Sequence, residues 1–258
     1  MKKYNYKSAP FEIHGIPFFA SHGKMQRMPD TLVESIPSIK EAAYRLSGVR
    51  LLFRTNSKSI KIEIRVSNVY VDRGYAFYQS NVAPVFIGEH RTSRFAGILS
   101  ADNSFDSDMI YGTFENDGMN DVTVHLPQKP CVEDIDIYLD DDAEVLAPTP
   151  FTVEKPFLFY GSSIVENGHC GVQNGYPALL AREFDADFYN LGVSGAARGE
   201  QGVGADELGP CAGLRAVARI VASEADHFVR RKPLSRNHRA PGGHHEVVPV
   251  VGGGEVGR

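Results

Sequence analysis

A short apolar run, Pro156-Phe157-Leu158-Phe159-Tyr160, stops at Gly161 and is followed at once by two hydroxyl side chains, Ser162 and Ser163, and then Ile164. The run reads as a buried strand and the glycine as the turn that ends it, so a serine there stands where a nucleophile can meet a substrate. Hydroxyl attack on a carbonyl needs a base to take the proton and fixed donors for the charge that develops on oxygen. A second small-residue loop, Gly192-Val193-Ser194-Gly195, follows another apolar run, Phe188-Tyr189-Asn190-Leu191.

Between the two runs lies an amphipathic segment, Tyr176 to Phe184, so the order is strand, helix, strand. Strands joined through such a crossover are parallel neighbours with a right-handed connection. The loops after Tyr160 and after Leu191 then emerge at one carboxyl edge. In open α/β sheets that edge is where ligands bind.

Gly161-Ser162-Ser163-Ile164 resembles the first block of the SGNH, or GDSL-like, hydrolases, and Asn190-Leu191-Gly192-Val193-Ser194-Gly195 resembles their second. Ala196-Ala197-Arg198-Gly199-Glu200 is similar to a subgroup with an extra β-domain in front of the hydrolase. The resemblance implies that Ser163 is the nucleophile and that the N–H groups of Ser163 and Gly195 hold the oxyanion. It implies no cofactor and no metal. An α/β-hydrolase elbow fits less well, because it calls for Gly-x-Ser-x-Gly and Val165 stands two residues after Ser163. The plainer alternative is a Rossmann-like unit in which Ser162 and Ser163 cap a helix or hold an anion.

The family's third block, with an oxyanion-stabilising Asn, and its fourth, Asp-x-x-His, are not found. Candidates for the base are His227, His238, His244 and His245, of which His244 and His245 are carried forward as catalytic candidates. Each also reads as a surface residue. Adjacent histidines in His244-His245-Glu246 lack the one-face spacing of a helical zinc site.

Residues 1–150 read as β-rich. Ser59 to Ser67 places Ile60, Ile62, Ile64 and Val66 on one face and Lys61, Glu63 and Arg65 on the other, the pattern of a half-buried strand. Residues 49–54, 75–78, 122–126 and 135–139 follow the same rhythm, with turn signals at Asp72-Arg73-Gly74 and Asn116-Asp117-Gly118. Short strands spaced by turns predict a sandwich, and the resemblance makes it jelly-roll-like. Pro148-Thr149-Pro150 marks a linker. Asp140-Asp141-Asp142 reads as a solvated turn rather than a calcium loop, His125 as an exposed strand histidine, and Cys170 as no nucleophile.

From about residue 201 the chain changes character. The last 58 residues hold one aromatic side chain, Phe228, and ten of the 25 glycines, so little there can pack. A helix from Cys211 to Arg231, with Leu214, Val217, Val221 and Phe228 on one stripe, is its one persuasive element. From about residue 232 disorder is expected, because ordering costs roughly 1–2 kcal/mol per residue.

The expected fold class is therefore α+β with two domains: a jelly-roll-like β-sandwich over 1–150, then an incomplete flavodoxin-like SGNH hydrolase domain over 151–258. The expected function is hydrolysis of short acyl, preferably acetyl, esters of carbohydrates, with turnover very low or absent in this chain. The alternative is a non-catalytic sandwich that binds a carbohydrate or a partner and carries a hydrolase remnant. A net charge of −5 over 258 residues argues against a nucleic-acid partner, and no apolar run reaches the roughly 18 residues of a membrane span. Three scattered cysteines and an N-terminus without a signal peptide point to the cytoplasm. Oligomeric state is left open.

Overall fold

A computed structural model of the protein describes residues 1–17, 19–69, 76–101, 107–167 and 170–195. The expectations placed on Asp72-Arg73-Gly74, on the 211–231 helix, on the tail beyond residue 232 and on His227, His238, His244 and His245 fall outside the described residues.

Alternation of apolar and polar residues builds two antiparallel sheets. One runs in the order β1 (Lys2–Asn5), β9 (Cys131–Leu139), β4 (Ser59–Ser67), β7 (Met109–Glu115). The other runs β10 (Val145–Leu146), β3 (Arg50–Thr55), β8 (Asn120–His125), β5 (Ala83–Ile87), β6 (Arg94–Leu99), with β2 (Glu12–His14) pairing on β3 beside β10. Ile60, Ile62 and Ile64 of the first sheet and Leu51, Phe53, Val85, Val122 and Val124 of the second share one core and are fully buried. Each such side chain contributes roughly 1.5–3 kcal/mol relative to an exposed one.

Asn116-Asp117-Gly118 turns the chain from β7 in one sheet to β8 in the other. The Asn116 side-chain amide donates to the carbonyls of Thr55, Ser57 and Gly118 at 3.2, 3.0 and 2.8 Å. Asp140 has structural work too: its carboxylate accepts from Lys58 N–H at 2.8 Å and Ser59 N–H at 3.1 Å.

The first half is less purely β than its sequence suggests. Residues 19–43 form α1 (Phe19–His22), α2 (Asp30–Ser35), a 3-10 turn over Pro37–Ile39 and α3 (Lys40–Ala43). Leu32, Ile36, Ile39 and Ala43 recur at three- and four-residue spacing, the stripe of one helical face. Pro37 keeps the pieces short. Another correction concerns Phe77 and Tyr78, which lie in α4 (Phe77–Ser80) and not in a strand. The Gln79 N–H bonds Ala76 O at 3.0 Å, closing a turn, and a four-residue apolar run does not distinguish the two states by periodicity.

The third sheet is the expected β-α-β. β11 (Val153–Gly161) and β12 (Ala186–Gly192) pair in parallel, Phe157 opposite Phe188 through Gly161 opposite Gly192. Between them lie α5 (Ser163–Glu166) and α6 (Tyr176–Phe184). Proline fits the first turn of α6 at Pro177, and Asp185 ends the helix in the left-handed conformation. Ala178 and Ala181 of α6 pack on Phe159 and Phe188 beneath. The fold class is thus α+β, a sandwich followed by an α/β unit.

The two parts meet along β3, whose outer face is covered at Arg50 and Leu52 and half-buried at Arg54. Arg50 donates to Asp187 at 2.5 Å and to Phe188 O at 3.2 Å, with its guanidinium 4.2 Å from the Phe188 ring. The opposite carboxylate oxygen of Asp187 contacts His14 Nδ1 at 2.8 Å. This contact also corrects the reading of His125: it sits on the outer face of β8 as the alternation requires, but the α/β unit covers that face. Its ring stacks edge-on to Phe86, its Nδ1 is buried without a partner, and burial together with Arg50 and Arg182 lowers its pKa to about 3.

Burial works against charge on His14 too, yet the hydrogen bond and charge of Asp187, helped by Glu12 and opposed by Arg50, hold it above its ordinary 6.5. Because the folded value is raised, this contribution to stability is fully present below 6.5 and is lost as pH rises through the folded value. Urea midpoints measured from about pH 6 to 8 should therefore fall with pH, and His14→Gln should flatten that slope. An unchanged slope in the variant would remove His14 from the account.

Candidate active site

β11 and β12 end level, with Gly161 opposite Gly192, and the chain stays joined one step further, where Val193 N–H donates to Gly161 O at 2.8 Å. Beyond Gly161 the backbone is extended at Ser162, and Ser163 opens α5. The first amides of a helix have no intrahelical acceptor, so the Ser163 N–H finds none within α5. Ser163 is half-buried, while its neighbours Ser162 and Ile164 are exposed. On the facing loop Gly195 has φ +76°, a conformation that glycine adopts without strain.

Side chains lace the two loops together. Asn190, buried at the end of β12, donates through Nδ2 to Val165 O at 2.7 Å and accepts Gly192 N–H at 2.9 Å. Glu166, three residues after Ser163 and fully buried, accepts Ser194 N–H at 2.6 Å. Its other oxygen meets Arg45 at 3.3 Å. Gly192 has no room for a side chain, since a Cβ there would lie 2.2 Å from Glu166 N.

Arg27 completes the support from the helical segment. Its guanidinium has no exposure at all and donates to Arg45 O, Asn190 O, Ala42 O at 2.8 Å and Gly192 O at 3.1 Å. Met28, Leu32, Ile39 and Ala43 pack on Leu191 and Val193 around it. Burial lowers the Arg27 pKa to about 10 against the pull of Glu166, so it stays charged at neutral pH. For Glu166 burial would raise the pKa, but Arg27 and Arg45, the Ser194 N–H and Lys129 outweigh it and hold the carboxyl below its usual range. A depressed carboxylate stabilises the fold above 4.5 and loses that contribution as pH falls through the folded value.

The register sets the loops bearing Ser163 and Gly195 side by side. His244 and His245 lie outside the described residues. Three described histidines are held toward the other end of β12: His14 by Asp187, and His90 and His125 along a crevice shared with Ala186 and Phe188. Among the described residues no cluster of three or more His, Cys, Asp or Glu is disposed to hold a metal ion. No helix among them is long and apolar enough to cross a membrane. Sequence reasoning missed Arg27, Arg45 and Glu166. The helical spacing around Arg27 was the available signal; nothing local marks the partners, which are up to 165 positions away.

Residues 154–206 match the GDSL-like lipase/acylhydrolase family. No curated protein matches the chain. Among solved structures it is similar to a protein assigned as a GDSL-like lipase from Bacteroides ovatus ATCC 8483, with TM-score 0.65 and 20% identity over 78% of this chain and 58% of that one. A salicylyl-acyltransferase from a tetracycline biosynthetic pathway gives TM-score 0.56 and 17% identity over 76% and 56%. A family two carbohydrate esterase from Cellvibrio japonicus gives 0.46 and 13% over 75% and 52%. The chain thus spans between half and three-fifths of the length of these structures. Its fold, shared with the first two of these, is a β-sandwich followed by an α/β unit. The expected resemblance to the GDSL-like hydrolases is matched over residues 154–206.

Gly192→Ala should destabilise the protein by about 1–3 kcal/mol, because the added methyl is forced against the α5 backbone. Chemical denaturation reads this directly, and a variant as stable as the parent would show that the loops can separate freely.

Proposed function

We propose that the chain is a serine ester hydrolase of SGNH type. The observation that carries the reading is the shared edge: parallel strands ending at Gly161 and Gly192, with Ser194 N–H drawn onto Glu166 just beyond Ser163. Ser163 Oγ attacks the ester carbonyl and passes its proton to a histidine. The Ser163 and Gly195 N–H groups hold the oxyanion, the alcohol leaves, and water then attacks the acyl-enzyme and frees the acid. His244 or His245 is the proposed base. The proposed substrate is a short acyl ester of a carbohydrate, from the likeness of the front β-unit's sequence to that of SGNH carbohydrate esterases. In this reading a jelly-roll-like domain spans 1–150 and the hydrolase domain 151–258.

The lack of the family's third and fourth blocks in the sequence favours a second reading, a non-catalytic sandwich that binds a carbohydrate or a partner and carries a hydrolase remnant. A serine-reactive aryl phosphonate, read by intact mass, separates the two. The first reading expects slow labelling that survives Ser162→Ala and vanishes in Ser163→Ala, with short-chain aryl ester hydrolysis following the same pattern. Labelling that persists in Ser163→Ala removes the nucleophile. No labelling in the parent, together with retained binding to an acetylated oligosaccharide, favours the second reading.

A further inference from the structure

Among the described residues, one fully buried carboxylate lies between the loops and has a place in no step described above. Glu166 leaves α5 on the inner side, away from the exposed side chains of Ser162 and Ile164, and reaches across to the backbone of the second loop. Its acceptor bond to Ser194 N–H, at 2.6 Å, is within the short range of a charge-assisted hydrogen bond. Ser194 immediately precedes Gly195. A peptide plane fixed at the Ser194 N–H limits the directions in which the next N–H can point, because only φ and ψ of Ser194 lie between that plane and the one that carries the Gly195 N–H. Gly195 is also the most permissive residue on that loop, with open space around its Cα. Its own steric preferences do little to aim it.

The carboxylate is itself positioned from the front half of the chain. Arg45 pairs with Glu166 at 3.3 Å and with Glu41 at 2.8 Å, and the Gln128 side-chain amide donates to Glu166 O at 3.4 Å. Arg27 binds the carbonyls of Asn190 and Gly192, on the strand that leads into the loop.

We infer that Glu166 is a positioning residue: its carboxylate, seated by Arg45 from the helical segment of the front half, holds the Ser194 amide and so aims the Gly195 N–H at the oxyanion of the ester attacked by Ser163. The inference rests on the serine hydrolase reading, and it gives the front half a part in the reaction without contact to the acyl group. Glu166 touches no reacting atom.

The test compares the parent with Glu166→Ala, Glu166→Gln and Ser163→Ala, using amide hydrogen exchange of the 190–195 segment and the rate of Ser163 phosphonylation. In Glu166→Ala the Ser194 amide should exchange at least about tenfold faster, and phosphonylation at saturating probe should slow about a hundredfold, the usual loss when one oxyanion donor is misplaced. The half-saturating probe concentration should stay unchanged, since aim and not binding is altered. Glu166→Gln keeps a neutral acceptor of the same shape and should lose only about fivefold, the difference between a charged and a neutral hydrogen bond. If Glu166→Ala does not fold, Glu166→Gln alone carries the test.

Faster Ser194 exchange with an unchanged phosphonylation rate would make Glu166 a fold residue only and overturn the inference. So would Glu166→Gln reacting as fast as the parent. Equal labelling of Ser163→Ala and the parent would instead overturn the nucleophile assignment, and exchange at Ser194 would still report whether Glu166 holds the loop. A parent that never labels would sink the claim that Glu166 serves a reaction.

Discussion

A guanidinium with no solvent exposure constrains everything near it, because its N–H donors must find acceptors at fixed distances or the charge is left unpaired at a cost of several kcal/mol. Arg27 finds them on two elements far apart in sequence: the carbonyls of Ala42 and Arg45 at the end of the helical segment, and those of Asn190 and Gly192 at the end of β12. Neither element can move alone. The apolar cluster of Met28, Leu32, Ile39, Leu191 and Val193 closes over the same junction and keeps water from competing for the acceptors. From that junction the second loop departs, already aligned with the first through Val193, Asn190 and Glu166.

A division of labour follows between the two ends of β12. At the Ala186 end, Arg50, Asp187 and His14 tie the unit to β3 by charge. At the Gly192 end, Arg27 ties it to the helical segment by buried hydrogen bonds to the carbonyls of Asn190 and Gly192, and Glu166 does so by its ion pair with Arg45. The front half of the chain thus supports the α/β unit at both ends of one strand, and this explains why Arg50 and Leu52 are buried on the outer face of β3.

What was legible in the chain was what is local. The apolar run into Gly161 and the alternation in β4 each span fewer than ten residues, and strand periodicity is written over that length. Ser163 and Gly195 stand out because turns need small residues where strands end. The helical segment was harder to see, since its stripe is interrupted at Pro37. His125 was misread because alternation reports which face a residue occupies but not what covers that face. Arg27 and Glu166 were invisible for a related reason: a charged residue in a single sequence looks the same whether it is solvated or buried against partners more than a hundred positions away.

The central claim of the proposed reading is geometric: when Ser163 Oγ bonds to an ester carbon, the oxygen on that carbon should lie within reach of both backbone donors. A crystal structure of the chain with Ser163 phosphonylated tests it most directly. The account predicts the phosphonyl oxygen at about 3 Å from both the Ser163 and Gly195 nitrogens, with the Ser194 amide still on Glu166. A phosphonyl oxygen turned to solvent, with Gly195 N–H directed elsewhere, would contradict it.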